Sequence, residues 1–286
     1  MSSKTDSEAS NKSHLAQYGQ SGTLSYNKYL KVEEIKQLQH CLSDPPHHDE
    51  PLFIIIHQAY ELWFKLILHE LDEVMRQIDR DDLRRATFFM RRVVTIFKVL
   101  VAQIHILETM APIDFLGFRS NLNPASGFQS SQFREIEFLA GLKEPRMLEF
   151  FSHEQAAHRA LSARMDEPSL SDAFYSLLRR RGFDVDEIIP DVENEETKKA
   201  HEQRVSELKR IYERPDEHLD LYELAETLVD LDQQLALWRT HHVTVVERII
   251  GFKRGTGGSE GVGYLRSTLH KRCFPDLWNV RTVIEL

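Results

Sequence analysis

Proline is absent from two long stretches of this chain, one from Leu52 to Ala111 and one from Asp216 to Phe274. A helix interior excludes proline, which lacks an N–H and collides with the preceding turn, so both stretches are free to hold long helices. Their apolar residues recur at helical spacing. Phe53, His57, Tyr60, Phe64, Ile67, Leu71, Val74 and Ile78 advance by four and three residues. Ala86, Phe89, Val93, Ile96, Leu100, Ile104 and Leu107 do nearly the same, and Leu221, Leu224, Leu228, Leu231, Leu235, Trp238, His242, Val245 and Ile249 do so throughout. Such spacing draws a stripe along one helix face. Asp79 to Asp82, "DRDD", breaks the first stretch into an antiparallel helix pair, and Pro51 opens it. Strand-like alternation is missing. The predicted fold is all-α, a bundle of long helices with no significant sheet.

The remaining segments are organised around these helices. "PASGFQS" (Pro124 to Ser130) reads as a turn-rich loop before a helix near Phe133 to Leu142. "RRRGFDVDEIIPDVENEETKKAHEQR" is highly charged and expected to be exposed. Residues 1–20 have the polar, low-complexity character of a disordered tail, and residues 21–286 are expected to form a single all-helical domain. The N-terminus has no apolar core of a signal peptide. No uncharged apolar run reaches membrane-spanning length, because the run from Leu52 carries His57, Glu61 and Lys65. A net charge of −9 argues against a nucleic-acid binder. Two cysteines, Cys41 and Cys273, cannot build a disulfide framework or a Cys-rich zinc site, which suits a reducing cytoplasm.

Histidines raise the question of chemistry. In "LWRTHHVTVVERIIGFKRGTGGSEGVGY" (Leu237 to Tyr264), His242 falls on the apolar stripe, whereas His241 is rotated about 100° away. His57 repeats the pattern on another helix, one turn after Phe53. Two stripe histidines on separate helices can face one cavity, or each can be a core residue bonded to a neighbour; the residues alone leave both readings open. Arg119 in "DFLGFRSNL" shares a helical face with Phe115 and is suited to gripping a carboxylate with two bonds. The loop from Gly251 to Gly263 holds six of the chain's twelve glycines. It lacks the GxxxxGK[ST] order of a phosphate loop, and it reads as a lid over a small molecule or as a flexible surface loop. His153 and His158 are five apart and diverge by about 140°, which excludes a zincin pair. No E-x-x-H occurs, which counts against a di-iron bundle. A haem protein suits the pattern: one imidazole for iron, with an apolar pocket for a flat ring.

Four motifs, "SYNKYL", "FIIIHQAYELWFK", "FLGFRSNLNPASGFQS" and "VERIIGFKRGTGGSEGVGYL", closely resemble the tryptophan 2,3-dioxygenase family in its bacterial form, in the same order from about Leu24 to the C-terminus. The resemblance implies an all-α haem domain that binds haem b (heme b), ferrous in the active form. It implies insertion of both atoms of O2 across the indole C2–C3 bond of L-tryptophan to give N-formyl-L-kynurenine, the opening step of the kynurenine route. It also implies a cytoplasmic homotetramer, a dimer of dimers, with no nucleic-acid or membrane partner. Carried onto this sequence, His242 is the iron ligand, and His57 is the distal residue that meets the indole N–H. Phe53 packs on the indole, with Ile54, Ile55 and Ile56 in the same wall segment. Arg119 takes the substrate carboxylate, and Thr256 meets its ammonium and carboxylate end. Ser126 and Gly127 lie near the haem. Tyr26, Tyr29 and Leu30 reach a neighbouring subunit's pocket. Phe115 stands where some bacterial relatives have tyrosine, so one hydroxyl contact to the carboxylate is missing here. The competing reading is a non-catalytic haem protein that binds or senses O2. It needs His242 and an apolar pocket, but not Arg119 and Thr256 converging on an amino acid.

Overall fold

The computed structural model describes residues 24–185, 195–256 and 261–285, and among these residues it contains helices and turns but no strand. The tail at 1–20 and most of the central glycine cluster at 257–260 lie outside the described residues. The chain divides into two compact units, Met1–Cys41 and Leu42–Leu286. In the smaller unit, α1 (Tyr26–Leu30) and α2 (Val32–Ile35) are single turns joined by Lys31 in the left-handed conformation, and neither buries a residue.

The larger unit is built on three long helices. The first is α3 (Glu50–Asp79), with Pro51 in its first turn. Glu50 is fully buried there and folds the preceding loop back onto the helix start. Its carboxylate accepts from the Leu42 N–H at 2.6 Å, the Ser43 N–H at 3.1 Å and the Ser43 hydroxyl. The "DRDD" break is as the sequence predicts. Asp81 takes a positive φ of 61°, and the Asp82 side chain accepts from the Arg85 N–H at 3.1 Å, capping α4 (Leu83–Leu107). Side-chain bonds cross this hairpin: Tyr60 Oη donates to Leu100 O at 3.0 Å, Gln103 Nε2 to Ile56 O at 3.1 Å and Arg92 Nη1 to Glu70 Oε1 at 2.6 Å. The third long helix, α11 (Leu219–Ile250), packs along α4. Its 32 residues span about 48 Å.

Shorter helices close the bundle: α5 (Pro112–Arg119), α6 (Ser131–Ala140), α7 (Arg146–Phe150), α8 (Gln155–Asp166), α9 (Leu170–Arg180), α10 (Glu195–Glu213), α12 (Val262–Ser267) and α13 (Pro275–Asn279). The loop before α6 contains a 3-10 turn at Gly127–Gln129, held by a capping box between Ser126 and Gln129. Glu61 on α3 fixes this loop by accepting from Ser130 Oγ at 2.6 Å and Gln132 Nε2 at 2.7 Å.

By length and composition α3 is apolar enough to cross a membrane. In the bundle, however, its stripe is core from Tyr60 onward: Tyr60, Phe64, Ile67, Leu71, Val74 and Ile78 are all buried. The charged stretch after α9 departs from its expected exposure. Phe183 and Val185 are buried, and so is Arg204, whose Nε donates to Asp276 at 2.6 Å. The apolar residues interleaved among the charges supply a core face, and the arginine enters with a carboxylate partner.

Candidate functional site

Along α11 the stripe changes character. Leu221, Leu224, Leu228, Leu231 and Leu235 are fully buried, whereas Trp238, His242 and Ile249 are only half-buried. These half-buried residues face a cavity of about 530 Å³ inside the larger unit, a volume in the range of roughly 300–1,000 Å³ typical of small-molecule sites.

The helix α3 supplies one wall. Phe53, His57, Tyr60 and Phe64 point inward, one per turn. Phe53 lies 4.1 Å from the His57 ring and 5.5 Å from Phe115, centroid to centroid. His57 Nδ1 sits 2.7 Å from Phe53 O. A carbonyl only accepts, so Nδ1 carries the proton, and in the neutral ring Nε2 is left as a bare acceptor. Burial pushes the His57 pKa down, against the opposing pull of the Phe53 carbonyl and the Glu61 carboxylate.

The opposite wall comes from α11. The His242 ring stacks on Trp238 at 4.9 Å with planes 24° apart, and Trp238 in turn packs on Phe133 at 4.6 Å. Burial pushes the His242 pKa down to about 4, with His57 and Arg134 adding to the effect. At neutral pH its imidazole is therefore uncharged, the state a metal ligand requires.

Charge enters through one cluster. Arg134 and Arg239 flank Glu137, with Nη–Oε distances of 2.5 and 2.7 Å, and all three are buried at the cavity wall. Burial alone would raise the Glu137 pKa, but the two guanidinium groups hold it below the usual carboxylate range. Two arginines against one glutamate leave the wall net positive. The Nε atoms of both arginines, and the Tyr264 hydroxyl, are buried without a hydrogen-bond partner.

The remaining wall residues converge on the cavity from separate segments. Phe115, Arg119, Ser126 and Gly127 line it from α5 and the loop that follows, and Thr256 from beyond α11. Arg119 donates from its guanidinium to the Arg254 carbonyl, and the Thr256 hydroxyl donates to the Ala125 carbonyl. These two bonds pin the segment after α11 across the cavity. Two of its glycines have local reasons. Gly251 ends α11 at φ 59°, ψ −136°, a region open essentially to glycine alone. At Gly261, with φ 64°, a Cβ would stand 2.7 Å from Lys253 O.

Not every expected site residue lines the cavity. Ile54, Ile55 and Ile56 do not: Ile55 is 51% exposed and Ile56 is in the core. Consecutive residues turn by about 100°, so only Phe53 and His57 of that run point inward. Tyr26, Tyr29 and Leu30 are exposed on α1 of the smaller unit. Conversely, the sequence did not single out the Arg134–Glu137–Arg239 cluster or Tyr264. Arg134 and Glu137 are three apart on α6, a readable signal, but Arg239 joins them from 102 residues away.

The model of the tryptophan 2,3-dioxygenase family matches residues 9–186 and 156–284. Over 264 residues the chain is 44% identical to a tryptophan 2,3-dioxygenase of Kineococcus radiotolerans, covering 91% of each protein. The chain belongs to the tryptophan 2,3-dioxygenase family. It is similarly related to the family members of Herpetosiphon aurantiacus, at 45% identity over 91% of this chain and 98% of that protein, and of Serratia proteamaculans, at 41% over 91% and 93%. The all-α bundle agrees with the fold that the family resemblance implied.

The cavity suits the flat, acidic cofactor expected for this family. A neutral imidazole stands on one wall, aromatic rings line the others, and a Cβ added at Gly127 would meet nothing within 4 Å. The cluster of two arginines and one glutamate leaves this wall net positive, which favours acidic groups.

Proposed function

We propose that this chain is a haem-dependent dioxygenase that converts L-tryptophan and O2 to N-formyl-L-kynurenine. One observation carries the reading. His57 and His242, from two separate helices, face a single apolar cavity that also presents Arg119 and Thr256. A protein that only binds O2 has no use for that second pair.

In this reading His242 would hold the iron of haem b, Ser126 and Gly127 would line its place, and the guanidinium groups of Arg134 and Arg239 would favour its acidic groups. When bound in the ferrous state, the haem supplies the activation of O2. The protein's own residues position the other reactant. The indole lies against Phe53 and Phe115 and donates its N–H to the free Nε2 of His57. That bond orients the ring and leaves the indole proton in place, so His57 need not remove it. The substrate carboxylate meets the Arg119 guanidinium, with the Thr256 hydroxyl at the same end. Held at both ends against apolar walls, the C2–C3 bond is presented in a fixed geometry, and positioning lowers the entropic part of the barrier. Both oxygen atoms enter the product, and the C2–C3 bond is broken.

The same reading takes the active assembly to be a homotetramer, a dimer of dimers, in which Tyr26, Tyr29 and Leu30 of one chain reach a neighbour's cavity. Their exposure on α1 fits this role. Free Cys41 and buried Cys273 suit the cytoplasm, and neither a nucleic acid nor a membrane is required. Turnover of L-tryptophan under isotopically labelled O2 tests the reaction. The expected product carries two labelled oxygens; a singly labelled product, or none, overturns the assignment.

A further inference from the structure

We propose that His105, Glu108 and His241 form a second metal site, for a divalent transition-metal ion of the zinc class, where the C-terminal end of α4 meets α11. One ligand atom from each residue lies within 4.8 Å of the others. His105 and Glu108 are three apart across the end of α4, so they project to the same side. His105 Nδ1 is already 3.0 Å from Glu108 Oε2. His241 comes from the other helix, and its ring stands at 85° to that of His105 with centroids 5.3 Å apart. Perpendicular imidazoles can aim ring nitrogens at one point without stacking against each other.

The donor set is chemically specific. Two imidazole nitrogens and a carboxylate oxygen form one of the three-ligand sets that bind zinc and leave a fourth position for water. The absence of a thiolate counts against soft-metal chemistry. With metal–ligand distances of about 2.0–2.2 Å, tetrahedral donors stand roughly 3.3 Å apart. The three groups must therefore draw together by an ångström or so. Side-chain torsions can supply this, because the His105 side chain is 54% exposed and has room on its solvent side. That exposure also leaves the fourth position to solvent. The last turn of α4 adds its carbonyl dipoles, which favour a cation.

This site is separate from the cavity, since none of its three residues lines it. It nevertheless acts on the same two helices. α4 lends Ile104 and Leu107 to the cavity wall and α11 lends His242. An ion held by His105, Glu108 and His241 clips these helices together from outside, and it stabilises the folded chain because the unfolded chain lacks the site. The inference does not depend on what the cavity holds.

Titration of the full-length, tag-free protein with Zn²⁺, after dialysis against EDTA, tests it by calorimetry. The expected result is one ion per chain with a Kd of about 10 μM or tighter. His105→Ala, Glu108→Gln and His241→Ala should each weaken binding at least tenfold, while exposed His69→Ala on α3 leaves it unchanged. Saturating Zn²⁺ should raise Tm in the parent and not in the three variants. Helical circular dichroism reports that each variant is folded, and Glu108→Gln, nearly isosteric, is informative even if a histidine variant misfolds. No binding by the parent at about 100 μM Zn²⁺, or binding that survives all three substitutions, overturns the site.

Discussion

His57 owes its usefulness to a bond with its own helix. With Nδ1 committed to the Phe53 carbonyl, Nε2 is the only nitrogen left to serve the cavity, and it serves as an acceptor only while the ring is neutral. Burial lowers the His57 pKa from its ordinary value of 6.5, so the neutral form persists below that pH. The acid limb of kcat/KM for L-tryptophan should therefore lie below pH 6.5, with activity falling as pH drops through the depressed pKa. A limb above 6.5 would show the ring to be stabilised in its charged form, contrary to this account. His57→Ser should retain haem and part of the turnover, because in the proposed site the histidine positions the indole and need not take its proton. Complete loss of activity in a folded, haem-loaded variant would make His57 an obligatory base. In the proposed site Arg119 holds the other end of the substrate. Stranding a buried carboxylate costs about 2–5 kcal/mol, so Arg119→Leu should lower kcat/KM by roughly thirtyfold or more. Tryptamine, which has no carboxylate, should bind no worse to the variant. Unchanged L-tryptophan turnover would remove Arg119 from the site.

At the scale of elements, legibility followed the apolar stripes. The stripes of α3, α4 and α11 reported long helices because their buried positions repeat over many turns, and the helix breaks at "DRDD" and Pro51 carry local backbone reasons. His242 was separable from His241 because helical phase alone distinguishes neighbours. α10 was not legible: Glu, Lys and Arg dominate it, and its buried face, with Ala200, Arg204, Leu208 and Ile211, depends on partners distant in sequence. The same holds for the anchoring of the C-terminal segment. Asp232 on α11 is fully buried, and its Oδ2 accepts from the Cys273 N–H at 3.1 Å, the Phe274 N–H at 3.3 Å and Trp278 Nε1 at 2.9 Å. An aspartate in a leucine-rich helix gives no sign of donors about forty residues downstream. Each stranded donor costs about 1–3 kcal/mol, so Asp232→Ala should destabilise the protein by at least about 3 kcal/mol in urea unfolding. A change below about 0.5 kcal/mol would mean that the segment is held by its apolar contacts alone.

For the whole molecule, light scattering should give a mass four times that of the chain, and substituting Tyr26 and Tyr29 together with alanine should weaken turnover if α1 completes a neighbour's cavity. A monomer with full activity would contradict that arrangement. The central claim is that this bundle holds haem on His242, and adjacent histidines test it most directly. His242→Ala and His241→Ala differ by one position on one helix, about 100° in phase. Haem content per folded chain, read from the absorption spectrum of each purified variant, should collapse in His242→Ala and remain at the parent level in His241→Ala. Equal haem retention in the two variants would contradict the account.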